Sequence, residues 1–453
     1  MIGRSSEISF LKNSFLKDEN QIVILYGREG IGKTEIIKSF CEDKAFFYYM
    51  ARQVSEKEQK SMFAKEIEQK YDLRLKDNEY STALSKFRSS DGSKMVVVID
   101  EFQYIAKKNS DFLKSIIDLA GKKLYPGPVL IVLISSSISF IENDLKNLMG
   151  TSFKKINLIR KVSEVNFVDL VHFFEKDDIR ECVKIYGVIG GVPKYMEKWN
   201  KSRSVKDNIC KLILNKNGYL YSEAENYVSR ELREISIYNT ILYAIASGNR
   251  KLNDLFNYTG FSRAKISVYI KNLMELDIVE KVNSFETAGR DNTQKGLYQI
   301  SSTFINFWYK FVFPNLSKLN MMSESEFYDK YIEPEFNDYL DRYFTKVCTE
   351  YLILMDKVGQ LPIRIEKIGS WIGKKGTIDI IAQNNKKNSI VGICKWKEKV
   401  VTYDMCEELF KTMDQAKIRA DYYYLFSSKT FDERLKKEAE AESRIVLVDI
   451  NSL

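Results

Sequence analysis

Eight consecutive residues near the start of the chain have the composition and spacing of a phosphate-binding loop. Glycines allow the backbone to wrap closely around phosphate groups, so that successive N–H groups and the start of the following helix point at them. The Lys33 amine is expected to reach the β- and γ-phosphates, and the Thr34 hydroxyl to ligate Mg²⁺. The pattern predicts binding of ATP with Mg²⁺, and Glu35 is one more candidate contact. The residues of the loop are Gly27, Arg28, Glu29, Gly30, Ile31, Gly32, Lys33 and Thr34.

An acidic motif follows at a distance that suits the same site. The apolar run Met95–Ile99 ends in Asp100 and Glu101. Asp100 is expected to hold hydrated Mg²⁺, and Glu101 to orient and polarise the attacking water. A second apolar run, Val129–Ile134, ends in serines, of which Ser136 is the candidate for a contact with the γ-phosphate or with that water. The alternative for Ser136 is an ordinary polar strand end. The predicted catalytic residues are Glu101, Lys33 and Ser136.

Strand-like and helical patterns alternate around these motifs. The run Gln21–Tyr26 precedes the loop, and a helical pattern begins at Thr34. The alternation continues through Met95–Ile99 and Val129–Ser135. It predicts a parallel sheet with helices on both faces. The fold class is therefore expected to be α/β, with the sheet of a P-loop NTPase at its centre.

The region after the predicted sheet has mainly helical patterns. Strand signals disappear from about Ser163. The helical patterns are interrupted by Gly190-Gly191-Val192-Pro193, a sequence that breaks helices. These patterns predict a helical lid.

Residues 234–300 have the order of elements of a winged helix-turn-helix. Helical patterns at Ile235–Ser247 and Leu252–Tyr258 are followed by a turn at Gly260 and a third helix that Ser262 is suited to cap. Two alternatives stay open for this segment: it contacts DNA, or it is a structural or regulatory module that also carries acidic residues. The candidate DNA contacts are Arg263, Lys265, Lys271, Arg290 and Lys295.

Length and composition set limits on these expectations. A chain of 453 residues is expected to form two to four domains. A formal charge of +8 over this length permits a nucleic-acid partner without arguing for one. The six cysteines are dispersed and His172 is the only histidine, so a zinc site is not expected. No apolar run approaches the roughly 20 residues of a membrane helix, and no signal peptide is recognisable, so we expect a cytoplasmic protein without a membrane partner.

Further segments of the chain fit one known family. They are Ile2-Gly3-Arg4 with Glu7 and Leu11, the phosphate loop, Val98–Tyr104, Gly190–Tyr195, Tyr238–Ile245, Tyr298–Ile300 and Phe307–Tyr309. Together they resemble the archaeal-type ATPase family, a group of AAA+-related P-loop proteins close to the STAND signal-transduction ATPases. The resemblance covers most of the chain.

The resemblance implies additional roles at the nucleotide site. Ile2, Gly3 and Arg4 would help to enclose the adenine, and Pro193 would belong to a lid that senses the bound nucleotide. Relatives often carry an arginine directly after a glycine downstream of the third motif strand. In this chain Gly150 is followed by threonine and serine, so no arginine finger is identifiable there, and Arg160 and Arg180 are the candidate substitutes.

The C-terminal segment resembles the PD-(D/E)xK nuclease-like domain that often follows this ATPase core. That chemistry requires carboxylates to hold Mg²⁺ and a lysine to position water. Asp379 and Lys395 match, but Ile393 and Thr345 occupy positions where relatives carry glutamate. Because isoleucine cannot ligate Mg²⁺, we expect a degenerate site that has lost nuclease activity.

The predicted domains are a P-loop ATPase core (1–160), a helical lid (161–233), a winged helix-turn-helix (234–315) and a degenerate nuclease-like α/β domain (316–453). The first hypothesis is Mg²⁺-dependent ATP hydrolysis that drives a conformational switch between the core, the winged helix and the C-terminal domain. Two alternatives stay open: a DNA-binding regulator with ATP as a structural ligand, and an ATP-dependent nuclease. Besides ATP and ADP, the candidate partners are DNA, another protein and a second copy of the chain.

Overall fold

The computed structural model describes residues 3–87, 93–121, 128–175, 178–285, 296–373 and 376–452. Contacts divide the chain into two compact units. The first consists of Met1–Val165 together with the short segment Val192–Lys194, and the second of Asn166–Gly191 and Tyr195–Leu453. The predicted division into four domains remains a prediction.

The first unit is built on a five-stranded parallel sheet, in the order β2-β3-β4-β1-β5. β3 and β4 are apolar, rich in β-branched residues and buried along their whole length, as central parallel strands must be. The order places β4 between β1 and β3, so the carboxyl ends of these three strands lie side by side. The strands are β1 (Gln21–Tyr26), β2 (Phe46–Met50), β3 (Met95–Asp100), β4 (Val129–Ser135) and β5 (Leu158–Lys161).

Helices cover both faces of this sheet. Alternate residues of β1 therefore belong to two different hydrophobic cores, one on each face. Val23 and Leu25 pack with helices α1 and α2, whereas Ile22 and Ile24 pack with α3, α4 and α6. The predicted α/β fold is confirmed. The helices of this unit are α1 (Ser5–Phe15), α2 (Lys33–Cys41), α3 (Glu56–Tyr71), α4 (Tyr80–Leu84), α5 (Gln103–Ala106), α6 (Ser110–Gly121) and α7 (Leu145–Met149).

The second unit begins with helices, as the loss of strand signals after Ser163 predicts. They are α8 (Phe167–Phe174), α9 (Ile179–Ile189), α10 (Pro193–Met196, whose first two residues belong to the first unit), α11 (Val205–Ile209) and α12 (Glu223–Glu231).

A helix-turn-helix with an antiparallel strand pair follows. The Ser262 side chain accepts a hydrogen bond from the Lys265 N–H and so caps the third helix. Gly260 ends the second helix with φ 71°. The elements are α13 (Ile235–Ala246), α14 (Leu252–Thr259), α15 (Arg263–Glu275), β6 (Val279–Val282) and β7 (Leu297–Ile300).

The C-terminal region contains a mixed sheet of order β14-β12-β10-β9-β8 and a strand pair, β11-β13. Phe285, from the segment after β6, donates its N–H to Ser370 O on β8 at 2.8 Å and packs in the core of this region. The elements are α16 (Thr303–Phe307), α17 (Leu316–Leu319), α18 (Glu324–Phe327), α19 (Glu333–Lys357), β8 (Lys367–Ile372), β9 (Thr377–Gln383), β10 (Ser389–Lys395), β11 (Val400–Val401), α20 (Tyr403–Ala416), β12 (Tyr422–Ser427), β13 (Thr430–Phe431), α21 (Glu433–Ala441) and β14 (Ile445–Asp449).

Several single helical turns of other types join these elements. They are π-helical at Phe140–Asp144, Cys210–Leu214, Trp308–Val312 and Tyr328–Ile332, and 3₁₀ at Gly150–Lys155, Phe313–Asn315 and Ile450–Ser452. Within the described ranges, no helix is both long and apolar enough to cross a bilayer.

Helices α9 and α19 approach each other closely at Gly187. The Tyr339 hydroxyl donates to Gly187 O at 2.9 Å, and the Tyr186 hydroxyl donates to Glu350 Oε1 at 2.7 Å. A Cβ atom at Gly187 would collide with Leu340 Cδ2. The glycine therefore permits the close contact between α9 and α19, which is the longest helix among the described residues of the second unit.

We expect Gly187→Ala to lower the free energy of unfolding by about 1–3 kcal/mol, because the added methyl group overpacks the contact with Leu340. The measurement is denaturant unfolding followed by circular dichroism. Gly121→Ala, at a helical position where the methyl group would meet nothing within 4 Å, is the control and should change stability by less than about 0.5 kcal/mol. Equal stability of the two variants would contradict a close helix contact.

Candidate nucleotide site

The phosphate loop adopts conformations that suit glycine. Gly27, Gly30 and Gly32 have φ angles of 153°, 78° and 89°. A Cβ atom at Gly27 would collide with the backbone oxygen of Val162. The Gly27 N–H donates to Ser135 O at 3.2 Å, which ties the start of the loop to the end of β4. Side chains are therefore excluded where the backbone must come close to a ligand.

A buried arginine supports the phosphate loop through hydrogen bonds to backbone oxygens. The Arg4 guanidinium is 3% exposed, and it donates to Ile31 O at 2.7 Å and to Ser163 O at 2.8 Å. It also lies 3.4 Å from the Glu7 carboxylate. Arg4 thus links the loop to the segment after β5. This supporting role differs from the adenine contact that the resemblance implied for Arg4.

The loop carries two further ion pairs. Arg28 pairs with Glu164 at 2.9 Å, and Glu29 pairs with Lys194 at 3.1 Å. The Lys194 N–H also donates to Gly30 O at 3.2 Å. These contacts explain why Val192–Lys194 groups with the first unit although its chain neighbours belong to the second.

Pro193 lies beside the phosphate loop. A methyl group added at Gly32 would lie 3.7 Å from Pro193 Cγ. Pro193 therefore lies against the phosphate loop, as part of the short segment Val192–Lys194 that groups with the first unit.

The Lys33 amine is directed back onto the loop. It donates to Gly27 O at 2.6 Å and to Arg28 O at 3.0 Å. Burial lowers the pKa of Lys33, while Glu101, Asp100 and other nearby carboxylates oppose this effect. A buried ammonium held by neutral carbonyls would gain a stronger partner when a phosphate anion enters the loop.

The Asp100 carboxylate is 3% exposed and is surrounded by hydrogen-bond donors. Its Oδ2 accepts from the Tyr48 hydroxyl at 2.7 Å and from the Thr34 hydroxyl at 3.3 Å. Its Oδ1 accepts from the Glu101 N–H at 2.9 Å. Burial raises the pKa of Asp100, and the hydrogen bond from Tyr48 opposes that rise.

Glu101 lies in a left-handed conformation with φ 53°, which is uncommon for a residue with a side chain. Its Oε2 accepts from the Ser136 hydroxyl at 2.5 Å and from the Gln103 amide. The predicted pair of Glu101 and Ser136 is thus brought together at the ends of β3 and β4. Gln103, which is 2% exposed, was not predicted.

The donor set fits a phosphate ligand with a hard divalent cation. Oxygen atoms of Thr34 and Asp100, side by side, are the ligand type that Mg²⁺ prefers. The loop N–H groups, the start of α2 and the Lys33 amine suit phosphate. Tyr48, in the middle of β2, and Gln103, just after β3, are site residues for which the sequence analysis predicted no role.

The remaining residues predicted at this site are placed as follows. Glu35 pairs with Lys38 at 2.8 Å on the exposed side of α2. Gly3 has φ 69°, and Ile2 lies outside the described residues. Arg160 is exposed and donates to Ser6 Oγ at 3.1 Å. Arg180 is engaged within the second unit, where it donates to Ser428 O and Oγ and lies over the Trp396 ring, so its guanidinium is not a free charge.

The helix-turn-helix presents basic side chains on α15. Arg263 bonds to Asn253 and lies over Phe256, whereas Lys265 lies over Phe261 at 4.8 Å. Lys271 is 76% exposed and is 3.8 Å from the Glu275 carboxylate. The other two candidate DNA contacts, Arg290 and Lys295, lie outside the described residues.

The predicted degenerate nuclease site has an unexpected neighbour. Asp379 Oδ2 accepts from the Cys394 N–H at 2.9 Å, and Asp341 of α19 accepts from the Trp396 N–H at 3.1 Å. Burial raises the pKa of both aspartates, and the charge of Lys395 opposes this for each. Ile393 packs in the apolar core. Asp341, one helical turn before Thr345, is thus a carboxylate that the sequence comparison missed.

Three family models match the chain. Residues 1–199 match an ATPase domain found predominantly in Archaea. Residues 239–281 match bacterial regulatory proteins of the arsR family, and residues 308–413 match archaeal and bacterial proteins of unknown function. The chain is therefore similar to archaeal ATPase domains over residues 1–199, to a regulatory helix-turn-helix over residues 239–281 and to a family of unknown function over residues 308–413.

Individual proteins give a consistent result. The uncharacterized protein MJECL04 of Methanocaldococcus jannaschii is 28% identical over 423 residues, which cover 93% of this chain and 91% of that protein. The uncharacterized ATP-binding protein MJ0423 of the same organism is 40% identical over 43 residues, which cover 10% of this chain and 73% of that protein. The structure of the Walker-type ATPase PABY2304 of Pyrococcus abyssi aligns with a TM-score of 0.50 at 14% sequence identity. The alignment covers 68% of this chain and 96% of the Pyrococcus chain, so the two proteins share the fold.

We expect Arg4→Lys to weaken the binding of ATP, GTP and tripolyphosphate equally, by about tenfold. Lysine keeps the charge but has one amine nitrogen in place of the two guanidinium nitrogens that reach Ile31 O and Ser163 O, so one buried oxygen loses its partner. Isothermal titration calorimetry measures all three affinities, with the exposed Arg74→Lys as the control. A loss confined to ATP would contradict the loop-supporting role and favour an adenine contact instead.

Proposed function

We propose, from the match of residues 1–199 to an ATPase domain found predominantly in Archaea, that this chain hydrolyses Mg·ATP and uses the cycle to switch its conformation. The observation that carries the proposal is the arrangement at the edge of the first sheet. There, the Glu101 carboxylate, the Asp100–Thr34 pair and the Lys33 amine converge around a loop shaped for phosphate.

Binding follows from the donors of the loop. The backbone N–H groups and the Lys33 amine take the phosphate oxygens, and Thr34 and Asp100 hold Mg²⁺. When bound, the cation supplies positive charge to the β- and γ-phosphate oxygens. Pro193, resting on the loop, helps to exclude water from this side of the site.

Hydrolysis requires a positioned water molecule. The Glu101 carboxylate orients the water, whose oxygen forms a bond to the γ-phosphorus while the bond from that phosphorus to the bridging oxygen breaks. The water proton passes to Glu101, and the products are ADP and inorganic phosphate. Ser136, bonded to the same carboxylate oxygen, sets the direction of Glu101.

The switch is supported by the division of the chain. Val192–Lys194 bonds to the phosphate loop, whereas the residues on both sides belong to the second unit. Helix α9 ends at Ile189, three residues before Val192, and packs closely on α19 at Gly187. A change of loop contacts after phosphate release would therefore be passed through a short connection to α9 and α19.

Binding of duplex DNA is a second candidate function, and the exposed face of α15 favours it. Arg263, Lys265 and Lys271 are exposed there, and the one carboxylate of this helix, Glu275, is only partly exposed. The match of residues 239–281 to arsR-family regulators supports this hypothesis. The nuclease alternative has weaker support, because Ile393 is packed in the core and no cluster of three metal-ligating side chains occurs among the described residues.

The test of the first proposal is Glu101→Gln. We expect this variant to bind ATP like the wild type and to release phosphate at least about 100-fold more slowly, because the amide cannot accept the water proton. Steady-state phosphate release with Mg·ATP and calorimetric ATP affinity measure the two effects. The control is Glu142→Gln, which removes a different carboxylate of the first unit. This variant should hydrolyse ATP at the wild-type rate.

Hydrogen exchange on the same proteins tests the switch. ATP should change exchange in α9 and in residues 190–195 of the wild type and of Glu101→Gln, but not of Lys33→Ala, which loses its phosphate contact. Normal turnover in Glu101→Gln would overturn the hydrolytic mechanism. Binding of ATP without any change in α9 would leave the ATPase in place and remove the switch.

The test of the second candidate is Lys271→Ala. It should lower the affinity for duplex DNA several-fold and reduce the salt slope by about one, because one phosphate contact is lost. Electrophoretic shifts over a salt series, without nucleotide, measure both. Lys38→Ala is closely matched, since Lys38 is 68% exposed and also pairs with a glutamate of its own helix. Equal DNA affinity of the two variants and the wild type would exclude α15 as the contact surface.

A further inference from the structure

One side chain at the Asp100 carboxylate belongs neither to the phosphate loop nor to the acidic motif. Tyr48 lies on β2, which pairs in parallel with β3, and Met50 at the end of β2 is opposite Asp100. The Tyr48 hydroxyl donates to Asp100 Oδ2 at 2.7 Å. The shortest hydrogen bond to this buried carboxylate is therefore made by a residue that no motif contains.

The hydrogen bonds to Asp100 fix the orientation of its carboxylate group. Tyr48 and Thr34 converge on the same oxygen, Oδ2, while the Glu101 N–H occupies Oδ1. A carboxylate held on both oxygens has one preferred orientation. Without the Tyr48 hydroxyl, Oδ2 would keep only the longer contact, at 3.3 Å, with the Thr34 hydroxyl.

We propose that Tyr48 is a positioning residue for the divalent cation of the nucleotide site, because it holds the Asp100 carboxylate toward the Thr34 hydroxyl. The inference rests on the proposed Mg·ATP site and adds a residue to it. Mg²⁺ requires nearly octahedral geometry and gives up water reluctantly, so a small rotation of one carboxylate is costly. Loss of an outer-shell partner commonly weakens metal binding by about 10–100-fold.

The neighbouring residue provides a matched control. Tyr49 follows Tyr48 on β2, faces the opposite core and accepts a hydrogen bond from Gln59 through its hydroxyl. Tyr48→Phe and Tyr49→Phe remove the same atom from adjacent positions of one strand. General damage to β2 would affect both variants, whereas loss of cation positioning would affect Tyr48→Phe alone.

The experiment measures binding of a fluorescent ATP analogue in EDTA and over a Mg²⁺ titration. Tyr48→Phe should keep the wild-type affinity in EDTA and need about tenfold more Mg²⁺ for half-maximal enhancement of binding. Tyr49→Phe should have the wild-type Mg²⁺ requirement. An unchanged Mg²⁺ requirement in Tyr48→Phe, or an equal loss of affinity in EDTA, would overturn the proposal.

Thermal unfolding gives a second readout that corrects for any loss of general stability. For each protein, the stabilisation by Mg·ATP is compared with that by ATP in EDTA, and this difference should shrink in Tyr48→Phe only. An unchanged difference in Tyr48→Phe would contradict the role of the hydroxyl. If the wild type binds the analogue with no Mg²⁺ dependence, the proposed Mg·ATP site fails, and that result is distinct from failure of the Tyr48 inference.

Discussion

The nucleotide site depends on one constraint, the parallel pairing of β3, β4 and β1. Parallel strands end at the same edge of a sheet, so the loop after β1, the carboxylates after β3 and the serines after β4 have to meet there. Because β4 lies between the other two, Ser136 reaches Glu101 directly. Each strand is buried on both faces, and a shift of one residue in register would separate these groups.

Polar groups drawn to this edge are expensive to bury unless they are paired. The chain meets that cost with donors from distant segments: Arg4 for the loop carbonyls, Tyr48 for Asp100, and Gln103 with Ser136 for Glu101. These contacts also fix directions, because a buried carboxylate with two donors cannot rotate freely. Stabilisation and positioning of the site therefore come from the same hydrogen bonds.

The sequence predicted the parts of the site that depend on local spacing. The loop, the Asp100–Glu101 pair, the parallel sheet and the helix-turn-helix follow from residues close together in the chain. Tyr48 and the supporting role of Arg4 could not be predicted, since each partner lies far away in the sequence and is chosen by strand order. Asp341 was missed because the motif expected an acid one turn later on α19.

In the C-terminal sheet, one position at which the nuclease resemblance calls for a metal ligand is used for packing. At position 393 an acid would have to enter the apolar core that contains Ile393 and residues of α20, where an unpaired carboxylate is unfavourable. Asp379 accepts a hydrogen bond from the Cys394 N–H within β10, and Asp341 accepts one from the Trp396 N–H directly after that strand. Burial raises the pKa of both aspartates, and the positive charge of Lys395 opposes that rise, so the lysine favours the ionised form of each carboxylate.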